Sequence, residues 1–151
     1  MSLYTIEGKK GENKMWFFFA LLSAFFAALT SILAKMGMKN VNSNVGTAIR
    51  TVVVLAMAWL IVFLTGKQKE IPAITQRGWI FLVLSGIATG LSWLCYFKAL
   101  QIGDAAKVVP VDKFSVVITM VLAFLLLGEP LNTKTIAGGV IITIGMLVLV
   151  L

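Results

Sequence analysis

Charged residues cut this chain into long apolar runs. Between Lys14 and Lys35 lie 20 residues, 15–34, without a charge. A helix of that length rises about 30 Å, the thickness of a hydrocarbon core. The run is expected to be a first membrane span, retained because it is too long for a signal-peptide core and further spans follow. From Lys39 to Lys67 Arg50 is the sole charge, so a second span is expected at 46–65. Arg50 would lie near one end and snorkel to the headgroups. A third uncharged run of 20 residues, 78–97, is expected to continue to 102. Gly103 is then a helix stop and Asp104 an N-cap for the next helix. The fourth run, 114–128, has 15 uncharged residues. It would cross only about 22 Å at the helical rise, less than the core thickness. Its helix must therefore begin ahead of Lys113, giving a span at 105–128 with Asp112 and Lys113 at membrane depth. Glu129 and Pro130 close it, since Pro cannot continue a helix. The fifth span is 135–151, 17 residues without a break.

Composition agrees with that pattern. Of 151 residues, 60% are hydrophobic and 13% charged, and the mean hydropathy is +1.00. That charged share is about half that of a soluble domain. Too few polar groups exist to cover a water-facing surface. The chain reads as an all-α integral membrane protein, one bundle of five transmembrane helices over 15–151. Residues 1–14 are polar, have no apolar period, and are expected to be a flexible tail. Met15 can itself serve as a start, in which case part of that tail is foreign to the protein.

The net charge of +7 would point to nucleic acid in a soluble chain. Here the basic residues fall between apolar runs, where they anchor helix ends to lipid headgroups. Membrane lipid is therefore the expected partner, and nucleic acid is not. Cys95 is the single cysteine, and there is no His. No disulfide framework, metal-ligand cluster or Ser-His-Asp or Cys-His group can be written. No cofactor or metal is expected, and an enzyme is disfavoured.

Polar residues inside the spans carry the candidate chemistry. Ser85, Thr89, Ser92 and Tyr96 fall at i, i+4, i+7 and i+11, one face of helix 3. Asp112, Ser115 and Thr119 fall at i, i+3 and i+7 of helix 4. Helix 1 offers a weaker stripe of Ser23, Ala27 and Thr30. Any single Ser or Thr is accounted for by packing and by bonding back to its own helix. Taken together, the aligned stripes point to an aqueous cavity shared by helices 1, 3 and 4. Trp93, mid-span beside the stripe, joins it, whereas Trp16 and Trp79 begin spans as belt residues. Gly86-x-x-x-Gly90 in helix 3 and Gly138, Gly139 and Gly145 in helix 5 allow close helix packing.

The charged group is sharper. Pro110 removes a backbone hydrogen bond just ahead of Asp112 and Lys113 and can expose carbonyls to a cavity. Asp112 and Lys113 are adjacent, so they are expected to point to different faces rather than cancel each other. Lys98 and Lys107 lie on either side of the preceding turn. One Asp with two or three Lys would hold a carboxylate or phosphate, or relay protons. The alternative is a structural ion pair with snorkelling lysines. Lys35 and Arg50 are expected to be headgroup anchors.

The sequence from Trp93 through Tyr96-Phe-Lys-Ala-Leu-Gln-Ile-Gly-Asp to Pro110, with Gly128-Glu129-Pro and Ala137-Gly-Gly, resembles one EamA-type domain of the drug/metabolite transporter superfamily. The resemblance covers 15–151. It implies a cavity between helix bundles, a small-molecule substrate and secondary transport. Most relatives join two five-span halves in one chain, so a single half implies a pair of chains. Val111-Asp112-Lys113 departs from the Leu-Glu-Pro-like segment of many relatives, so no substrate carries over. The four-span small multidrug resistance relatives place an essential Glu in helix 1. No carboxylate lies within 15–34 here, which argues against a proton-coupled exporter of cationic drugs.

These readings converge on a secondary transporter of a prokaryotic inner membrane, exporting a small metabolite (amino acid, organic acid or drug-like compound) by alternating access as a homodimer. The rival is a non-transporting membrane subunit that pairs with another membrane protein. Seven Lys and Arg fall on the N-terminal side of the membrane and six on the other, or four and six if Met15 is the start. So small a bias specifies neither orientation firmly, as an antiparallel dimer with dual topology would require.

Overall fold

A computed structural model describes the backbone of residues 3–130 and 132–151 and the side chains of 15–130 and 132–151. Its elements are α1 (Leu3–Gly37), α2 (Ser43–Leu64), a 3₁₀ turn (Lys67–Ala73), α3 (Gln76–Ile102), α4 (Ala105–Asp112), α5 (Ser115–Leu122), a π-helical turn (Ala123–Leu127) and α6 (Thr133–Val150). Among the described residues, five stretches are long and apolar enough to cross a membrane: Met15–Gly37, Ser43–Leu64, Gln76–Ile102, Ala105–Leu127 and Thr133–Val150. The fourth combines α4, α5 and the π turn. It starts at Ala105, as the shortness of its uncharged part demands.

Local chemistry sets the helix ends. The side chains of Asn42, Thr75 and Asn132 accept from the backbone N–H of Asn44, Gly78 and Thr135 at 2.9, 3.2 and 2.8 Å. Each satisfies an N–H that the first turn leaves orphaned. Asp104 occupies the N-cap of α4, but its side chain makes no capping bond there. Its backbone carbonyl instead accepts from Val108 N–H at 2.9 Å. Gly66 and Gly128 close α2 and the π turn with φ of +70° and +67°, values a side chain would oppose. So Gly128, rather than Pro130, provides the stop after the fourth span.

The backbone is helical from Leu3, where the sequence pattern led to an expectation of a flexible tail. The apolar span supplies the nucleus, and residues ahead of it extend the helix without a second nucleation step. The side chains of 1–14 lie outside the described residues.

α2 packs on α3, α3 on α1 and α4, α1 on α4, and α6 on α4 and α5. The core lies at one end of this arrangement. Ala34 of α1 and Met38 just past its end meet Phe97 and Leu100 of α3, flanked by Trp93, Tyr96, Ala105, Val108 and Val109. Two polar links pin the same end. Lys35 Nζ donates to the carbonyls of Leu100 and Gly103, both at 2.7 Å. Gln101 Nε2 donates to Val41 O at 2.6 Å and Met38 O at 3.3 Å. Lys35 is thus a cap on the C-terminus of α3, where its charge meets the negative end of the helix dipole. The expectation of a headgroup anchor is corrected. Away from this end, Phe17, Phe25, Val53, Leu60, Phe81 and Ile87 are all exposed. Lipid tails are as apolar as these side chains, so nothing drives them inward.

Candidate functional site

Beside the core, α1 to α4 border a half-open cavity of about 320 Å³. α1 contributes Ala27, Thr30 and Ser31, and α2 contributes Arg50 and Val54. α3 presents Ser92, Trp93, Tyr96 and Phe97, four residues over little more than one turn, and α4 ends in it at Asp112, followed by Lys113. Its size falls within the range of small-molecule sites.

Pro110 builds the α4 side of the site. It has no N–H to donate, and its ring crowds the carbonyl four residues back. A few residues past it the helix tightens. Phe114 N–H bonds Val111 O, Val116 N–H bonds Lys113 O, and Val117 N–H bonds Phe114 O, each at 3.0 Å in the i→i−3 pattern. α4 therefore stops at Asp112 and α5 begins at Ser115. At this interruption Lys113 Nζ lies 3.4 Å from Asp112 Oδ2. The expectation that these neighbours point apart is corrected: the break in the helix lets the long lysine stem fold back toward the carboxylate. The contact is long and both side chains are partly exposed, at 54% for Lys113 and 33% for Asp112, so the pair is weak.

On the opposite wall, Ser31 and Tyr96 hydroxyls share a 2.6 Å hydrogen bond, and Ser31 Oγ also donates to Ala27 O at 2.8 Å. This link fixes the Tyr96 ring between α1 and α3. Tyr96 packs edge-on against Phe97, with ring centroids 5.3 Å apart. The Arg50 guanidinium lies over the other aromatic partner, its carbon 4.1 Å from the Phe97 ring centroid. Phe97 is 2% exposed, so Arg50 faces the interior. The reading of Arg50 as a headgroup anchor is corrected, since its guanidinium is stacked on a buried ring.

Of the residues singled out from the sequence, Thr30, Ser92, Trp93, Tyr96, Asp112 and Lys113 come together in this cavity. Others do not. Ser85 and Thr89 are exposed farther along α3, and Thr89 Oγ1 donates back to Ser85 O at 2.9 Å. Ser115 and Thr119 are exposed on α5, beyond the break. Lys98 lies in a separate cleft with Asn42, Ser43, Asn44, Leu94 and Cys95. Among the glycines, Gly139 is buried against Met120, while Gly86, Gly90, Gly138 and Gly145 have no atom within 4 Å of a Cβ position. Arg50 and Ser31 are the additions that sequence reasoning missed. Ser31 was detectable as the residue four beyond Ala27 on the same stripe. Arg50 was visible as the one charge inside its run, but its direction was not.

Residues 14–151 match the model of the EamA-like transporter family. A protein of Sinorhizobium sp, described as "Uncharacterized transporter in cobO 3'region", is 49% identical over 137 residues, covering 91% of this chain and 97% of the relative. No solved structure matches the chain.

Proposed function

The chain belongs to the EamA-like transporter family and is a multi-pass membrane protein with a transporter's role; from that premise we propose that it exports a small metabolite as a secondary transporter, by alternating access within a homodimer in a prokaryotic inner membrane. One observation carries the reading. Arg50, Asp112 and Lys113, three charges from apolar spans, border a single cavity. Charge inside a bilayer is costly and marks substrate or ion pathways. The interruption of the fourth span at that cavity resembles the discontinuous helices of secondary transporters. In this reading Thr30, Ser31, Ser92, Trp93 and Tyr96 complete the substrate site.

In this reading two copies of the five-span unit pair. The described residues hold an odd number of spans, five, so two oppositely inserted copies would recover the inverted-repeat plan. Open glycines at Gly86 and Gly90 suit a helix-to-helix contact between them.

The test is flux. Purified protein in liposomes should move one or more members of a panel of labelled amino acids, organic acids and drug-like cations under an imposed proton or sodium gradient. Asp112→Asn should slow it. Absence of flux across the panel, with correctly inserted folded protein, would favour the membrane-subunit alternative.

A further inference from the structure

Arg50 lies seven residues beyond Ser43, the first residue of α2, and thus about 10 Å along the helix. Its guanidinium face is occupied by Phe97 at 4.1 Å. Among the described residues the ion pairs are Lys67 with Glu70 and Lys113 with Asp112, so no carboxylate lies within 4.0 Å of Arg50. Stacking uses the π face and leaves the N–H edges, a fork that matches a planar carboxylate in two parallel bonds.

Two cavities meet at this residue. The polar cavity lies on one side. On the other is an apolar groove of about 450 Å³ between α1 and α2, walled by Leu33, Met38, Ile49 and Val53 among others. Thr30, Arg50 and Val54 border both. A ligand held at Arg50 therefore has an apolar compartment for its body within reach of its head. Charge limits the head. Arg50, Lys113 and Asp112 sum to a formal +1 around the polar cavity. A monoanion neutralises that sum, whereas a dianion leaves an unpaired negative charge in a low-dielectric site.

We propose that Arg50 is the carboxylate-binding residue of the site, and that the ligand is a small monocarboxylate with an apolar body lying in the α1/α2 groove. The inference rests on the transport reading only in treating that ligand as a substrate.

The test uses the full-length protein in nanodiscs, with empty nanodiscs as the blank. Hexanoate, phenylacetate, hexanamide and adipate are titrated calorimetrically. Hexanoate or phenylacetate should bind, with hexanamide and adipate at least about 10-fold weaker. Arg50→Gln should weaken the carboxylate by roughly 10- to 100-fold and remove the preference over the amide. Arg50→Lys, with charge but no fork, should fall between. A second measurement needs no variant. Phenylglyoxal labelling, read by peptide mass spectrometry, should be blocked at Arg50 by whichever carboxylate binds and not at Arg77, the second residue of α3. The proposal is overturned if neither carboxylate binds, if acid and amide bind alike, or if labelling of Arg50 is not protected. Arg50-dependent binding without liposome flux would remove the transport reading and leave the site. Flux of a cation that Arg50→Gln leaves unchanged would remove the site and leave the transporter.

Discussion

Replacing Lys35 by Met tests how the closed end of the bundle is held. Met keeps most of the stem and removes the ammonium. Two hydrogen bonds of 2.7 Å, to Leu100 O and Gly103 O, disappear with it. A hydrogen bond to a charged group contributes about 1.5–3 kcal/mol. Removing the ammonium also removes its desolvation cost, which offsets part of the loss. The expected net destabilisation is about 2–4 kcal/mol, roughly 30- to 1,000-fold in the folding equilibrium. The assay is reversible unfolding in mixed detergent and dodecyl sulfate micelles, followed by circular dichroism. Lys39→Met serves as the control, since Lys39 is an exposed lysine one turn farther on. Two headgroup anchors would give equal, small losses. A loss for Lys35→Met below about 0.5 kcal/mol, or no larger than for Lys39→Met, would refute the capping role.

Three further outcomes follow from the same geometry. Asp112→Asn or Lys113→Met should reduce flux or ligand affinity by about 10-fold or more while shifting stability by less than about 1 kcal/mol, because their mutual contact is long and partly exposed; a loss of stability with unchanged activity per folded molecule would make them a structural pair. Gly139→Leu should destabilise by about 1–3 kcal/mol because Met120 Sδ is 3.4 Å from the Cβ position, whereas Gly86→Leu, with no neighbour within 4 Å, should leave the monomer's stability unchanged and weaken self-association measured by cross-linking or light scattering. Reporters fused to the C-terminus should find both orientations in the membrane; one orientation in more than about nine chains in ten would favour a parallel dimer or an unequal partner.

The spans were legible in the sequence because lipid penalises charge at every position of a crossing helix. Lys14, Lys35, Lys67 and Arg77 therefore mark the ends of runs whatever the helices do next. Asn42, Thr75, Asn132, Gly66 and Gly128 refine those ends through bonds and dihedrals that reach no farther than a turn. Pro110 was legible as a place where this helix could kink, since a missing N–H is a local fact, but the end of α4 at Asp112 was not. Which faces meet was a different matter. Period alone puts Ser85, Thr89, Ser92 and Tyr96 on one stripe, yet only Ser92 and Tyr96 reach the cavity. α3 packs closely near its C-terminal end, and lipid solvates the rest of it as well as protein would. Arg50 and Lys35 show the same limit for charge. A long cationic side chain one or two turns inside a helix can reach outward to headgroups or inward to a partner, and its own helix favours neither. Phe97 beneath Arg50 and the open carbonyls of Leu100 and Gly103 beside Lys35 decided the direction. These partners stand on α3 or on the residue that caps it, separated in sequence but brought close by packing, so only the tertiary structure could turn these two charges toward the interior.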